Sequence, residues 1–556
     1  MKRTKLNRYN QIRRRKSRRL PVVLSVIAVL LVIAVGFTYF RLWNRPVAFE
    51  VKNTQASFPL TSQQKLEDFE YLWSMLDQAF PYFEVKERML DYSWRDQKAS
   101  FEAMIRETPD DLAYYNTLST ILTRLQNGHT GIIPPSYYFN SYKELYEGPT
   151  PWGQIFGSKN AEKLYSYWST VVKDEDTYYI PVSFKYIEGN YYADKKSVVS
   201  NKSLEDYGLK PGSKLITVNG AAVDEYVKTL MDSRILRYDD KREKIKLDRL
   251  TIKSTEPLSF EMETPTGSKS TVMLYPEPYN TSGGSDQAKP DHLFTGEILE
   301  EGSSAYLSLP SLSSSYVDKD KKALKTFLSS VSGYEILIID IRGNGGGSTS
   351  YWMDNIVPLL TEEKLESKNY VLFRDSDYLE PFIRNKMLFG FYGLKSLSEF
   401  STKEGMEGIY FAGQRGKYNR MTYTVKPNSP VDFKGKIYLL VDGYVYSSAE
   451  AFAAFSKETG WATLVGTQTG GDGIGYDPAA LVLPQSGLIV RFPLEMGLNS
   501  DGSVNEEVCT QPDVYVEQTY EDFINGVAAG AENLSAKERI SYDTVLKTVL
   551  EMAQGN

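Results

Sequence analysis

The sequence predicts a multidomain α/β protein of the α+β kind, in which separate helical and β parts accompany an α/β core. Residues 334–340 and 435–442 are short apolar runs next to glycine, which is typical of buried strands. The second run is followed by a helical pattern at 449–458 and then by strand-like segments at 462–466 and 488–494. A strand, a helix and another strand in this order indicate an α/β core.

At 556 residues, the chain is too long for one ordinary domain. Residues 62–80 place apolar side chains at every third or fourth position, which predicts a helix. A second helix is expected at 109–125, because Gly128 provides a natural stop soon afterwards. We predict these parts in order: a basic arm (1–19), an apolar segment (20–40), a linker (41–61), an N-terminal helical subdomain (62–135), a connecting β segment (136–185), a β domain (186–280), the α/β core (281–515) with an insertion at 383–430, and a C-terminal helical tail (516–556).

Composition argues against several kinds of site and partner. The chain has two histidines, His129 and His292, and one cysteine, Cys509. A Cys/His zinc site and an intrachain disulfide are therefore not expected, and we predict neither a metal ion nor another cofactor. From Val47 onward acidic residues outnumber lysine and arginine, which argues against a nucleic-acid partner.

The N-terminus has the charge pattern of a membrane anchor. Residues 1–19 are rich in lysine and arginine and have no acid, and residues 20–40 have no charge. An uncharged segment of this length can cross a bilayer, whereas the core of a cleaved signal peptide, the alternative, is usually shorter. The positive-inside rule puts the N-terminus in the cytoplasm and residues 42–556 outside. Since an exported chain without disulfides fits a bacterial surface, we predict a single-pass protein of a bacterial cell membrane.

Ser447 and Ser448 lie at the turn between a predicted strand and a predicted helix. On one interpretation a serine here only caps the helix, since serine is a favoured N-cap residue. On the other it is a nucleophile, and the first N–H groups of the helix stabilise an oxyanion. A serine nucleophile needs a base, and His129 is predicted on a loop, where functional groups are often presented. His292 lies in a linker-like segment without such a context.

Two glycine-containing segments carry further patterns. Residues 207–220 read YGLKPGSKLITVNG and resemble the corresponding run of protease-associated PDZ domains. The resemblance implies that the β domain 186–280 is PDZ-like and binds an extended peptide by strand addition. The glycine-rich loop 342–347 lacks the spacing of a phosphate-binding loop. Its remaining use is to turn sharply and aim N–H groups at a charge.

Three motifs occur together in this chain: DIRGNGGG at 340–347, SSAE at 447–450 and GTQTGG at 466–471. Their order and spacing resemble the tail-specific proteases, also called C-terminal processing peptidases, and among them the tricorn-like Ser/His branch. The resemblance covers about residues 60–515. It implies an α/β core like those of ClpP and crotonase.

The same resemblance implies roles for residues around the serine. Ser447 is the expected nucleophile, and the expected oxyanion-hole donors are Ser448 and Gly346, with Gly345 as the alternative to Gly346. The Ser/Lys branch of the family has its catalytic lysine 25 residues after the serine. This chain has Asp472 there, so a Ser/Lys dyad at that position is excluded.

The base and its partner are implied less directly. His129, in Asn-Gly-His-Thr, matches the histidine of the tricorn-like branch, and Glu506, six residues before a Pro-Asp pair, matches its carboxylate. Tricorn has a serine just before its histidine, whereas this chain has Gly128. The partner that orients His129 is therefore left open.

The sequence as a whole predicts a membrane-anchored, extracytoplasmic serine endopeptidase. It would cleave protein or peptide substrates through an acyl-enzyme, with Ser447 as nucleophile and His129 as base. One alternative is a catalytically inactive protein that binds peptides or another ligand on the same fold. Another is a hydrolase of a different bond, such as an ester. The oligomeric state is left open.

Overall fold

A computed structural model of the chain describes residues 57–173, 178–194, 199, 202–278, 290–387, 393–400 and 415–555, together with Leu31, Ala34 and Val35. The predicted basic arm (1–19) and most of the predicted linker (41–61) lie outside the described residues. The described chain combines an α/β core with separate helical and β parts, as predicted.

The N-terminal part of the described chain is helical. Its first helix, Ser62–Ala79, confirms the predicted apolar repeat. The predicted second helix is Asp111–Thr123, and the side chain of Asp110 caps its N-terminus. Between them lie Phe83–Leu90, Arg95–Gln97 and Lys98–Arg106. The apolar positions of the first helix that enter the core are Leu66, Phe69, Leu72 and Leu76.

The predicted connecting β segment, 136–185, is mostly helical, so this expectation is wrong for most of its length. Its tyrosine and tryptophan residues suggested strands, but β propensity depends on packing context. Here Tyr165 and Trp168 pack with Leu164 along one buried face of a helix. The helices are Pro135–Tyr137, Tyr138–Tyr142, Lys143–Leu145, Pro151–Phe156 and Lys159–Val171, and strands begin only with Tyr178–Tyr179 and Phe184–Ile187.

A β unit follows, with its own apolar core. The strand Lys214–Val218 lies within the PDZ-like run 207–220. The Asn219-Gly220 turn after it has positive φ at both residues, 49° and 80°, which is the geometry that Asn-Gly favours. The sheet runs, in spatial order, through Lys269–Leu274, Leu258–Glu263, Lys214–Val218, Asn190–Ala193, Phe184–Ile187 and Arg249–Leu250, with Ala221–Ala222 on Lys214–Val218 and the helix Val223–Thr229 beside it.

The core sheet carries most of the predicted strands. In spatial order its strands are Thr295–Glu300, Ser304–Ser308, Ile336–Asp340, Lys436–Val441, Thr463–Gly466 and Val514–Tyr515. The first two are antiparallel and the remaining pairs are parallel. Parallel sheets are normally covered on both faces. Here Val317–Ser330, Thr349–Asn355 and Ser448–Thr459 cover one face, and Ala536–Arg539 and Thr544–Ala553 cover the other.

Two smaller sheets extend the core. The predicted insertion 383–430 is partly regular, because Gly416–Val425 pairs with Leu365–Arg374 along ten residues. The strand predicted at 488–494 is present as Ile489–Phe492, but it lies outside the core sheet. It pairs with Ala479–Val482 and with Gly131–Ile132. The pairing with Gly131–Ile132 joins the segment that follows His129 to this smaller sheet.

The predicted membrane localisation needs correction. Among the residues that the structure describes, no helix is both long enough and apolar enough to cross a membrane. The segment predicted as a span, 20–40, falls outside the described part of the chain except for Leu31, Ala34 and Val35, which are helical.

A buried ion-pair network ties the C-terminal helices to the core sheet. The guanidinium of Arg342 donates to Asp543 at 2.7 and 2.9 Å and to Asp340 at 2.7 and 3.0 Å. Burial acts to raise the pKa of Asp543, but Arg342 outweighs it and lowers the pKa to about 2. Asp543 therefore stabilises the fold at neutral pH, and this contribution is lost as the pH falls from 3.8 through 2.

We expect Arg342→Met to lower the free energy of unfolding by about 3 kcal/mol at pH 7, because two carboxylates lose their buried partner. Urea denaturation measures the change. The matched control is Lys434→Met, which breaks an exposed pair with Glu362 and should change stability little. An equal effect of both substitutions would contradict a structural role for the buried network.

Candidate active site

Ser447 occupies a strained turn at the start of the helix Ser448–Thr459. Its φ and ψ are 57° and −125°, a region that non-glycine residues rarely adopt and that is often found at functional sites. A strand-to-helix turn of this kind exposes the hydroxyl of a nucleophilic serine. The capping interpretation fails, because the Ser447 side chain makes no cap hydrogen bond to the helix.

Backbone hydrogen bonds fix this turn between two loops. The Tyr446 N–H donates a hydrogen bond to the carbonyl of Asn344, in the glycine loop (342–347), at 3.2 Å. The Ser447 N–H donates to the carbonyl of Gly471, in the aspartate loop (470–473), at 3.3 Å. A strained backbone persists only where its surroundings hold it, and these contacts supply such support.

His129 reaches Ser447 from the N-terminal part of the chain. Its Nε2 lies 3.0 Å from Ser447 Oγ, although the two residues are 318 positions apart. The histidine loop (126–130) places it there, between the helix Asp111–Thr123 and the strand Gly131–Ile132. Glycine at position 128 is explained by steric contact, because a Cβ there would lie 2.9 Å from the ring of Tyr446.

Asp472 is the partner of His129 that sequence reasoning missed. Its Oδ2 lies 2.7 Å from His129 Nδ1. The same oxygen accepts from Asn127 Nδ2 at 2.8 Å and from Tyr446 OH at 3.0 Å, and Oδ1 accepts from Tyr82 OH at 2.6 Å. Burial acts to raise the pKa of Asp472, but His129 and the other donors outweigh it and lower the pKa to about 2. Asp472 is therefore an anion at neutral pH.

A signal for Asp472 was present in the sequence. It is an isolated acid between glycines, at the position where the Ser/Lys branch has its catalytic lysine. By itself, however, an acid at this position indicates only that no lysine is present. Its role as the partner of a histidine becomes visible only when the fold brings His129 beside it.

Glu506, the carboxylate predicted from the sequence, lies further from His129 than Asp472 does, behind Asn127. Its Oε1 is 2.6 Å from Lys86 Nζ and accepts from Asn127 Nδ2 at 3.2 Å. Burial raises its pKa, although Lys86 acts against the rise. Among the described residues Glu506 makes no hydrogen bond to His129. Asn127 instead connects the two carboxylates, Glu506 and Asp472.

The two predicted oxyanion donors differ in availability. Ser448 is the first residue of its helix, so its N–H has no acceptor within the helix. The Gly346 N–H donates to Asn344 Oδ1 at 2.9 Å and is engaged in this arrangement. Gly346 has φ 109°, and a Cβ there would lie 2.8 Å from the Cβ of Ser447. Its close approach to the serine turn thus requires glycine, whereas Gly345 has open space around it.

A cavity of about 340 Å³, here called the serine cavity, opens beside Ser447. His129, Ser448, Gly347 and Asp472 line one end of it, and Glu495 lies in its wall. In the described part of the chain, no group of three or more His, Cys, Asp or Glu side chains could hold a metal ion.

The β unit contacts the aspartate loop and the histidine loop. Arg237 donates to the carbonyl of Gly470, and its guanidinium lies 5.3 Å from the centre of the Tyr446 ring. Gln126, at the start of the histidine loop, donates to the carbonyls of Met231 and Arg234 at 2.9 and 2.8 Å. Residues 231–237 therefore help to hold His129 and Asp472 in place.

The family model described as peptidase family S41 matches residues 303–516. This range contains the serine turn, the glycine loop and the aspartate loop. This part of the chain is similar to a peptidase family S41 domain. The match confirms the predicted resemblance to the tail-specific proteases and the prediction that the chain is a serine-type peptidase.

Two solved structures of mature CPAF are similar to this chain in fold. Mature CPAF complexed with lactacystin is 15% identical, with a TM-score of 0.56, and the match covers 89% of this chain and 99% of that one. Another structure of mature CPAF is 14% identical, with a TM-score of 0.56, and the match covers 89% of this chain and 98% of that one. The photosystem II D1 C-terminal processing protease is 15% identical with a TM-score of only 0.39, over 84% of this chain and 97% of that one. No curated protein sequence matches the chain significantly.

The carboxyl of Glu495 gives a prediction about stability. Burial raises its pKa from 4.5 to about 8, opposed by the Tyr476 N–H. The folded state therefore keeps a proton that the unfolded chain releases at lower pH, and stability falls as the pH rises from 4.5 to 8. Glu495→Gln should escape this loss. We expect its stability relative to wild type to improve by roughly 3 kcal/mol between pH 5 and pH 8 in urea denaturation. A difference that does not change with pH would contradict the protonated carboxyl.

Proposed function

We propose that the chain is a serine endopeptidase in which Ser447, His129 and Asp472 act as one catalytic unit. The observation that carries the proposal is the continuous hydrogen-bonded chain from Ser447 Oγ to His129 Nε2 and from His129 Nδ1 to Asp472 Oδ2, at 3.0 and 2.7 Å. Nucleophile, base and orienting carboxylate in this geometry define the serine-protease triad on unrelated folds.

Each group has a distinct task in the proposed reaction. Ser447 Oγ attacks the carbonyl carbon of the scissile bond while His129 Nε2 takes the hydroxyl proton. His129 then returns this proton to the leaving amine, which leaves an acyl-enzyme on Ser447. Water, deprotonated by the same histidine, attacks the ester carbonyl; the ester bond breaks, the acid product leaves, and His129 returns the proton to Ser447 Oγ. Asp472 keeps the Nδ1 proton in place and stabilises the imidazolium that forms in each half of the reaction.

The oxyanion formed in each attack requires N–H donors at the serine turn. We assign the first to the Ser448 N–H, which has no partner within its helix. Gly346, the second donor predicted from the sequence, could serve only after its N–H leaves Asn344 Oδ1. Its role stays a prediction.

The nucleophile and base can be tested with a fluorophosphonate probe and a peptide substrate. Ser447→Ala should abolish labelling and cleavage, and His129→Ala should reduce turnover by about 10³-fold or more with little change in substrate binding. The matched control is His292→Ala, because His292 also pairs with an aspartate, Asp320, at 2.9 Å. It should leave both readouts intact. Labelling of wild type would also exclude a purely binding function, and failure of labelled enzyme to cleave peptides would favour another bond, such as an ester.

The two carboxylates can be separated by neutral substitutions. Asp472→Asn keeps the size of the side chain but permits the wrong histidine tautomer, so we expect kcat to fall by about 10⁴-fold. Glu506→Gln leaves the contact between His129 and Asp472 unchanged and should cost about tenfold or less. Steady-state kinetics on the two folded variants measures both effects. Equal losses would instead give Glu506 the role predicted from the sequence.

We further propose that the β unit presents substrate to the site, as its PDZ-like sequence implies. Among the described strands, Lys269–Leu274 pairs only with Leu258–Glu263, so its other edge is available for strand addition. Met273 and Tyr275 lie there with 51% and 65% of their surface exposed. An exposed edge with apolar side chains is suited to an extended peptide.

Met273→Glu combined with Tyr275→Ser should therefore raise KM for long peptide substrates severalfold while fluorophosphonate labelling of Ser447 stays unchanged. These substitutions spare residues 231–237, which contact the catalytic loops. The matched control is Tyr137→Ser, which changes a tyrosine that is 58% exposed in the helical part. An unchanged KM in the double variant would make the β unit a structural support rather than a substrate reader.

A further inference from the structure

The wall of the serine cavity contains a carboxyl group that the proposed catalytic unit does not use. Glu495 is 4% exposed and lines the cavity together with Ser447. Its Oε1 accepts from the Tyr476 N–H. Its Oε2 is buried and has no hydrogen-bond partner among the described residues. An unpaired buried polar atom is costly, and each native example needs an explanation.

The surrounding backbone is built to accommodate this side chain. A Cβ at position 475 would lie 2.0 Å from Glu495 Oε1, so a side chain there would displace the carboxyl from its present position. Gly475 belongs to the segment 473–478, which runs from the aspartate loop along the same cavity. The carboxyl is therefore packed against the wall that a substrate side chain next to the scissile bond would touch.

The other charged groups of the cavity already have partners. Lys386 pairs with Asp477, and Asp472 pairs with His129. Among the described residues that line the cavity, one other buried polar atom has no hydrogen-bond partner. It is the hydroxyl oxygen of Ser448, which carries no charge. The cavity thus offers one unpaired acidic group and the carboxylate of Asp472, whereas Lys386 balances the charge of Asp477.

We propose that the serine cavity binds the side chain of a lysine or arginine residue of the substrate, with Glu495 Oε2 as the acceptor. This proposal rests on the proposed peptidase function and specifies its substrate class. Before substrate binds, burial keeps the Glu495 carboxyl protonated at neutral pH. A bound ammonium or guanidinium group displaces this proton into solvent, donates to the unpaired oxygen and is attracted by the Asp472 carboxylate. Charge-assisted hydrogen bonds of this kind are stronger than neutral ones. A cavity of 340 Å³ is within the range of small binding pockets.

Cleavage-site mapping tests the proposal with full-length wild-type protein. A synthetic peptide library is digested and the cut positions are read by mass spectrometry. We expect lysine and arginine to be enriched at one fixed position beside the cut bond. A pair of peptides that differ only in lysine or norleucine at that position then gives the preference. Norleucine has the same chain length without the charge, and we expect kcat/KM to favour lysine about tenfold or more.

Glu495→Gln shows whether this carboxyl causes the preference. The substitution keeps the shape and the Tyr476 contact but cannot carry a charge. We expect the ratio of lysine to norleucine cleavage to fall to about one while the norleucine peptide is still cleaved. The matched control is Glu450→Gln, since Glu450 is also buried with one unpaired oxygen but does not line the cavity. It should leave the ratio unchanged.

Each outcome is decisive for one proposal. Equal cleavage of the two peptides by wild type would overturn the basic specificity without any variant, and so would a ratio that Glu495→Gln leaves intact. A wild type that is not labelled by fluorophosphonate and cleaves neither peptide would instead overturn the proposed peptidase function.

Discussion

The structure around the site depends on keeping one carboxylate, that of Asp472, ionised in a buried position. Burying an anion is unfavourable unless hydrogen-bond donors surround it. Its two oxygens meet four donors: Tyr82 OH, Asn127 Nδ2, His129 Nδ1 and Tyr446 OH. These donors come from the helical part, the histidine loop and the serine turn. Satisfying one anion thus fixes the relative positions of three segments that are far apart in the sequence.

Close packing around the serine turn adds a second constraint. Tyr446 fills the space that a side chain at position 128 would need, and Ser447 comes close to the backbone of Gly346. The Tyr446 hydroxyl also receives the Gly128 N–H at 3.2 Å. Glycine at these two positions is therefore explained by contact with the turn rather than by loop flexibility. The strained backbone of Ser447 is held by neighbours that leave it little room to relax.

The sequence predicted elements with strong local signals and failed where distant contacts decide. The strands Ile336–Asp340 and Lys436–Val441 and the helix Ser448–Thr459 follow from short apolar runs beside glycine and from helical periodicity. The aromatic segment 136–185 was misread because tertiary packing overrides β propensity. Ser447 and His129 were found from motifs. Asp472 was not, because its pairing with a histidine 343 positions away has no signature in either local sequence.

The wide separation of the site residues has a consequence for biosynthesis. His129 is translated early, whereas Ser447 and Asp472 follow more than 300 positions later. A chain still on the ribosome therefore has a histidine without a nucleophile for most of its synthesis. In the proposed mechanism even the finished chain has no base beside Ser447 until the helical part has docked on the core and paired Gly131–Ile132 with Ile489–Phe492. Completion of the tertiary fold is then the activation step of the proposed peptidase.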